Sequence, residues 1–154
     1  MDAAKAPKTP RQHWMAVLAR AGAAELSTLL ETLPPLPGYH RLRGPEAGLV
    51  MLRGRTGGAG AAFNVGEMTV TRCTVRTDDG LTGHAYIAGR DERQAELAAL
   101  LDAMLQDPTR HDAVRHAIIT PLAEAQQRRR DRDARKAAAT KVDFFTMATM
   151  RGTT

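Results

Sequence analysis

A cysteine and a histidine near the middle of the sequence are the residue types most suited to covalent chemistry. Cys73 is the only cysteine, and His84 lies in the next strand-like segment. An imidazole beside a thiol favours the thiolate, which is the nucleophilic form of cysteine. Nothing nearby in the sequence suggests an orienting acid or an oxyanion hole, and free cysteines are common in protein cores. We therefore favour packing over catalysis for Cys73.

A glycine-rich loop over residues 53–60 suggests a different kind of chemistry, the binding of an anion. Its backbone amides could hold a phosphate, with Arg53 and Arg55 adding positive charge and Gly57 and Gly58 allowing a close approach. No Lys-Ser or Lys-Thr follows the loop, as a P-loop requires, and no helix clearly begins there. A connection or a partner-binding loop is therefore the favoured interpretation.

Further candidate residues lie in the segments EMTVTRC and GHAYIAGR. An arginine on a half-apolar strand face needs a carboxylate or a phosphate, because an unpaired buried charge is costly. Pairing within the chain or between subunits is the more frequent solution. No histidine or cysteine spacing fits a metal site, so we assign no metal. The candidate interface or ligand-contact residues are Glu67, Thr69, Arg72, Cys73, His84, Tyr86 and Arg90.

Two strands and a turn must position these residues. The sequence predicts strands over residues 68–76 and 82–88, and a two-residue turn at Asp79-Gly80 would pair Cys73 with Tyr86. A three-residue turn would change the pairs. The predicted register places Thr69, Thr71, Cys73, Val75, His84 and Tyr86 on one face of the hairpin. The other face then carries Met68, Val70, Arg72, Thr74, Ala85 and Ile87.

Two helices and one strand are predicted before the hairpin. The segment Thr9-Pro10-Arg11-Gln12 has an N-cap threonine, a proline at the first helical position and a glutamine that can complete a capping box. A leucine stripe over residues 26–33, out of phase with the first apolar stripe, indicates two short helices or a sharp bend. Prolines then end the helix, so residues 34–46 read as an irregular connection, and residues 49–52 read as a short strand.

Helices are also predicted after the hairpin. Asp91 is an N-cap for a helix whose apolar stripe runs over residues 97–105, and Asp107-Pro108 ends it and starts another. Residues 126–136 have no apolar face, which indicates a solvated helix projecting from the body. The apolar, β-favouring segment 141–147 predicts a docking strand, and we favour a contact between subunits.

These elements together predict an α+β fold with N-terminal helices, a small mainly antiparallel sheet, C-terminal helices and a terminal docking strand. The 154 residues have room for one domain with an ordinary core. Residues 1–8 are expected to be disordered, and residues 126–154 to form the projecting helix and docking tail. Because aromatic residues make up only 4% of the chain, the core should be aliphatic.

Charge and composition argue against several classes of protein. The net charge is +5, but the segment from Arg128 to Lys136 contributes six basic residues and two aspartates, which leaves about +1 elsewhere. Such local basicity, interrupted by acidic residues, disfavours a nucleic-acid-binding protein. No apolar run approaches the roughly 18–20 residues that cross a bilayer, and the start of the chain lacks a signal-peptide pattern. With a single cysteine, a reducing cytoplasm is the simplest compartment.

Three long segments resemble one known family. PEAGLVMLRGR, FNVGEMTVTRCTVR and GHAYIAGRDERQAELAALLDAML are similar to the G subunit of the bacterial phosphonate C-P lyase system, the PhnG family. The segment WMAVLARA that opens at Trp14 and the segment TKVDFFTM near the end share the likeness. The resemblance implies a soluble complex with subunits H, I and J, in which subunit I displaces adenine from ATP with an alkylphosphonate while G, H and L support it.

On this resemblance the chain is an accessory subunit that is not catalytic alone. It would support the synthesis of alpha-D-ribose 1-methylphosphonate 5-triphosphate and form a homodimer within the complex. ATP and alkylphosphonate would be substrates of the complex, with no cofactor bound by this chain itself. Two alternatives remain: an independent enzyme that uses Cys73 and His84, and a basic nucleic-acid-binding module that uses Arg128 to Arg130.

Overall fold

Two short helices open the described part of the chain, which comprises residues 8–55 and 60–141 of this computed structural model. Helix α1 (Pro10–Leu18) begins with the predicted capping box. The Thr9 hydroxyl accepts a hydrogen bond from the Gln12 amide at 3.2 Å, and the Gln12 side chain accepts one from the Thr9 amide at 2.9 Å. Helix α2 (Ala23–Leu30) buries two residues of the predicted leucine stripe. Both N-terminal helices are therefore confirmed.

A three-stranded antiparallel sheet follows, in the order β1-β2-β3. Strand β1 (Tyr39–Arg55) is far longer than predicted, and strand β2 (Ala62–Thr77) pairs along it. The prediction of an irregular connection up to residue 46 was wrong. Register shifts around Arg43 admit the Gly44-Pro45 pair, because an edge strand tolerates proline at such irregularities.

Thr77 pairs with Leu81 across the turn between β2 and β3 (Thr82–Ala88), which leaves a loop of three residues, Asp78 to Gly80, and not the two that were predicted. The Thr77 amide donates to the Leu81 carbonyl at 2.9 Å, and Gly80 in the loop has a φ of 87°. Glycine adopts this left-handed conformation without steric cost. The longer loop shifts the register by one residue, so Cys73 pairs with Ala85.

This shift makes the predicted arrangement of faces wrong, because a one-residue slip moves every side chain of a strand to the other face. One face of the sheet packs against the helix that follows β3 and is here called the inner face. It carries Thr71, Cys73, Val75, Ala85 and Ile87. The opposite face, here called the outer face, carries Arg72, Thr74, His84 and Tyr86.

Helix α3 (Glu92–Met104) covers the inner face. Asp91 caps it as predicted, since its carboxylate accepts a hydrogen bond from the Gln94 amide at 2.9 Å. The helix approaches β3 closely at Gly83, where a Cβ atom would lie 1.9 Å from the carbonyl oxygen of Ala99. Together with α1 and α2, α3 encloses a core of aliphatic residues and Cys73, which confirms the expected aromatic-poor core.

The described chain ends in a helical region with one irregular turn. Helix α4 (His111–Val114) passes into a π-helical segment, Arg115–Ile119, and then into α5 (Thr120–Ala139). This wider turn precedes Pro121, which lacks an N–H donor for the helix. No described helix is both long enough and apolar enough to span a bilayer.

The chain divides into two compact units, with the boundary between Ala123 and Glu124. The described part of the second unit is the remainder of α5, and every residue from 127 to 141 is exposed. The helix predicted over residues 126–136 is confirmed, with residues 127–136 exposed as expected and Gln126 buried. Residues 1–7 and 142–154 lie outside the described residues, and with them most of the predicted disordered start and docking strand.

Candidate functional site

The outer face of the sheet brings together the largest group of predicted site residues. Arg72 lies in the central strand, with Tyr86 opposite it in β3 and Glu46 opposite it in β1. Its Nε donates to the Glu46 carboxylate at 2.6 Å, and the same carboxylate lies 3.4 Å from Nε of Arg43. Hydrogen bonds with Tyr86 and Glu46 raise the pKa of Arg72. The predicted pairing of this arginine is therefore intramolecular.

His84 belongs to the adjacent row of the outer face. Its ring Nδ1 lies 3.1 Å from the Thr74 hydroxyl, which faces it from β2. His84 and Tyr86 are both exposed, with Tyr86 56% exposed. Arg72, His84 and Tyr86 can therefore offer donors and one aromatic ring to a partner or ligand that approaches this face.

Cys73 lies on the inner face, away from His84. It is 1% exposed, and its Sγ lies 3.5 Å from the Arg43 carbonyl oxygen. Burial raises the pKa of the Cys73 thiol, which disfavours the nucleophilic thiolate. Because the sheet separates the two side chains, they cannot act as nucleophile and base for one substrate. The expectation that Cys73 and His84 share one face of the hairpin was wrong, and the favoured packing role agrees with the structure.

Glu67 and Thr69 lie in a part of the sheet that β3 does not reach. Here β1 and β2 form a two-stranded ribbon, residues 49–55 paired with residues 62–69, which we call the β-arm. Its apolar side chains are unusually exposed: Leu49 by 63%, Met51 by 59%, Leu52 by 42%, Phe63 by 48% and Val65 by 61%. The β-arm is the largest group of exposed apolar side chains in the described residues.

Two residues of the possible anion site, Arg53 and Arg55, lie at the end of β1 in the β-arm. Arg53 is exposed, and the Arg55 guanidinium donates to the Gly60 carbonyl at 3.3 Å. This contact orients Arg55 across the base of the loop. Gly57 and Gly58 lie outside the described residues, so the predicted anion contact at this loop stays a prediction.

Arg90 is exposed and lies in the connection between β3 and α3. The residue before it, Gly89, has a φ of 97° and donates its amide to the Thr69 carbonyl at 2.9 Å. The Thr71 hydroxyl donates to the Gly89 carbonyl at 2.7 Å. The sequence candidates are thus divided among the outer face, the core, the β-arm and this turn, and do not form one pocket.

Two buried carboxylates on α3 were missed by the sequence analysis. Asp102 is fully buried and accepts hydrogen bonds from the Arg11 guanidinium, the Trp14 indole and the His84 amide. Such an acidic residue within an apolar helical stripe is the signal that could have identified it, because buried acids need partners. This carboxylate joins α1, α3 and β3.

Glu96 forms the second of these junctions. It accepts hydrogen bonds from the Arg41 guanidinium at 2.9 and 2.8 Å and from the Tyr39 hydroxyl at 3.0 Å. The Arg41 hydrogen bonds hold the pKa of the Glu96 carboxyl below its usual value. These hydrogen bonds connect the first residues of β1 to α3. Within residues 8–55 and 60–141, no group of three histidine, cysteine or acidic residues could hold a metal ion.

Comparison with known proteins adds a separate line of argument. The sequence profile of the family described as "Phosphonate metabolism protein PhnG" matches residues 9–152. A relative from Rhizobium meliloti (strain 1021) is named "Alpha-D-ribose 1-methylphosphonate 5-triphosphate synthase subunit PhnG". It is 43% identical over 153 residues, which cover 96% of this chain and 96% of the relative. The match includes the outer face, the β-arm and both buried carboxylates.

Proposed function

Because this chain belongs to the PhnG family of phosphonate metabolism proteins, we propose that it is an accessory subunit of the carbon-phosphorus lyase core complex. In this role it supports the synthesis of alpha-D-ribose 1-methylphosphonate 5-triphosphate from ATP and methylphosphonate, with release of adenine, during the catabolism of organic phosphonates. The complex works in the cytoplasm, and ATP and the alkylphosphonate are its substrates. The chain contributes no cofactor of its own.

The proposed partners are subunits H, I, J and L of that complex, and the chain forms a homodimer within the assembly. The name of the Rhizobium relative describes a subunit of a synthase, which supports an assembly with other chains. Subunit I supplies the catalytic residues in this proposal. The chain described here provides surfaces that hold the assembly together.

The β-arm is the observation that carries this proposal. Leu49 and Met51 lie on one face of the ribbon and Leu52 lies on the other. All three side chains are nevertheless exposed. Isolated two-stranded ribbons are marginally stable in water, and clustered exposed apolar side chains mark sites of protein association. A partner that covers the β-arm would bury these side chains and stabilise the ribbon.

The position of Cys73 supports an accessory role over an independent enzyme. A buried thiol with a raised pKa is a poor nucleophile, and His84 lies on the opposite face of the sheet. The basic segment of α5 supports the nucleic-acid alternative only weakly, since Asp131 and Asp133 interrupt its basic residues. Gln127 also forms hydrogen bonds with both Asp131 and Arg130. Assembly through the β-arm therefore remains the favoured function.

Co-expression with the other subunits, followed by native mass measurement, tests this function. A Met51→Asp/Phe63→Asp variant places two charges on exposed positions of the β-arm. We expect it to fold as well as the wild type and to assemble at least about a hundredfold more weakly, because an unpaired buried charge costs several kcal/mol. Leu36→Asp is the matched control, since Leu36 is 40% exposed and lies outside the β-arm. Full assembly by the double variant would overturn the role of the β-arm.

Two assays separate the alternatives. The purified chain incubated with ATP and methylphosphonate should release no adenine, whereas release that disappears in Cys73→Ser would establish an independent enzyme. Binding of nucleic acid that weakens steeply with salt and is lost when Arg128 to Arg130 are neutralised would establish the basic module. Absence of binding at low salt would dismiss it.

A further inference from the structure

A cavity of about 320 Å³ lies between the start of α1 and the segment formed by α4 and the π-helical turn. The cavity is lined by charged, imidazole and indole side chains and by one proline and one isoleucine. The charged, imidazole and indole side chains belong to Lys8, His13, Trp14, His111 and Arg115. None of these residues belongs to the outer face or to the β-arm. The cavity is therefore a separate feature of the first unit, and the proposed function does not use it.

Among the described residues, the lining of this cavity is basic and contains no acidic side chain. Lysine and arginine side chains carry positive charge at neutral pH, and the two imidazoles add nitrogen atoms that can form hydrogen bonds. Neither Lys8 nor Arg115 has an ion-pair partner among the described residues. By contrast, the nearby Arg11 is paired with Asp102 at 2.7 Å. Two cations are thus left available to a ligand.

Two walls of the cavity are held in place by groups behind them. The Trp14 indole N–H donates to the buried Asp102 carboxylate at 2.9 Å, and its ring meets the His111 ring edge-on at a centroid distance of 5.6 Å. Nδ1 of His111 lies 2.7 Å from the Leu105 carbonyl oxygen. A carbonyl can only accept, so Nδ1 carries the hydrogen and Nε2 is the nitrogen without a partner among the described residues. Such preorganisation lowers the cost of ordering side chains when a ligand binds.

We propose that this cavity binds a soluble small molecule that carries a di- or triphosphate group. Lys8 and Arg115 would contact the phosphate oxygens, because charge-assisted hydrogen bonds to such oxygens are strong and guanidinium geometry suits them. The volume exceeds what one phosphate needs, and Trp14 offers an aromatic wall to any ring attached to the phosphates. Inorganic polyphosphate and a nucleotide share this phosphate chemistry, and titration with each distinguishes them.

Trp14 makes the test direct, because it is the only tryptophan in the chain. The full-length protein is titrated with inorganic tripolyphosphate, ATP and methylphosphonate while tryptophan fluorescence is recorded, with sodium chloride at matched ionic strength as the reference. We expect a saturable change with tripolyphosphate and ATP. Tighter binding of ATP would show that the attached ring contributes, and equal binding would show recognition of the phosphates alone.

Charge-neutralising variants locate the binding. Arg115→Gln and Lys8→Gln are each expected to weaken the apparent affinity for tripolyphosphate about tenfold, the usual effect of removing one hydrogen bond to a charged group. Arg20→Gln is the matched control, since Arg20 is exposed and does not line the cavity. Circular dichroism checks that each variant is folded. For the assembled complex, 5-fluorotryptophan is incorporated into this chain alone, and the fluorine NMR signal of Trp14 then reports ligand binding.

Several outcomes would overturn the proposal. One is a fluorescence signal that does not saturate or that sodium chloride reproduces. Another is an affinity that Arg115→Gln and Lys8→Gln leave unchanged, or that Arg20→Gln lowers equally. Tighter binding of a polyglutamate peptide than of tripolyphosphate would show that the basic cavity receives an acidic protein segment. These results do not depend on adenine release or on subunit assembly, so the two proposals fail separately.

Discussion

Replacing Asp102 with asparagine is expected to destabilise the protein strongly. The carboxylate is fully buried on α3 and accepts four hydrogen bonds. Two come from the Arg11 guanidinium at 3.2 and 2.7 Å, one from the Trp14 indole at 2.9 Å, and one from the His84 backbone amide at 2.9 Å. The substitution preserves the size of the side chain, so its effect reports these hydrogen bonds and the charge.

The magnitude follows from what an amide can accept. Asparagine supplies one acceptor oxygen and one N–H₂ group, so two of the four donors would face another donor. Each unsatisfied buried donor costs about 1–3 kcal/mol, although the Arg11 side chain is 41% exposed and water can partly solvate it. We expect the free energy of unfolding to fall by about 3–5 kcal/mol, as when one partner of a buried ion pair is lost. For a domain of this size, Tm would fall by about 6–20 °C.

Urea unfolding and thermal melting monitored by circular dichroism measure this loss. Glu46→Gln is the control, because it makes the same carboxylate-to-amide change in an exposed ion pair. Glu46 pairs with Arg72, and the Glu46 side chain is 46% exposed. Exposed ion pairs contribute about 0–1 kcal/mol, so this variant should resemble the wild type. A loss below about 1 kcal/mol for Asp102→Asn would refute the reasoning, since it would mean that the buried carboxylate contributes no more than an exposed one.

Three further outcomes are expected. Gly83→Ala should lose at least about 2–3 kcal/mol of unfolding free energy, because its Cβ would lie 1.9 Å from a carbonyl oxygen of α3 and overpacking is costly. Gly48→Ala, whose Cβ would meet nothing within 4 Å, is the control, and equal melting of the two variants would contradict the close approach. The Arg41 hydrogen bonds lower the pKa of Glu96 in the folded protein. At pH values below the ordinary glutamate pKa of about 4.3, the unfolded chain therefore binds more protons than the folded protein, and the free energy of unfolding falls as the pH is lowered. Urea midpoints measured from neutral to acid pH should decline less in Glu96→Gln, and an identical decline would contradict this linkage. Burial raises the pKa of the Cys73 thiol, so Ellman's reagent should modify it slowly in the native protein and rapidly in denaturant; rapid native modification would show an accessible thiolate.

The candidate site was predicted only in part. Arg72, His84 and Tyr86 were proposed from the sequence as contact residues, which stays a prediction, and the structure places all three on the outer face. It also identified Cys73, which the structure buries on the inner face. The difference arises at Gly80, where a three-residue loop shifts the register and exchanges the faces of β3 relative to β2. The partner of Arg72 was missed because β1 was predicted to begin after Glu46.

The sequence by itself determined the features that depend on neighbouring residues. The capping box at Thr9, the N-cap at Asp91 and the leucine stripes involve groups within a few positions of each other, so their chemistry can be read directly. Membership of the PhnG family also follows from residue order alone.

Only the tertiary structure decided which of these elements meet and which side chains stay exposed. Asp102 bonds Arg11 across 91 positions of the chain, and Glu96 bonds Arg41 across 55. The exposure of the β-arm depends equally on where β3 ends relative to two longer strands. Contacts at such separations depend on loop length and strand register. One additional residue in a turn moves every side chain of the following strand to the opposite face relative to its partner strand, because side chains in a strand alternate with a period of two.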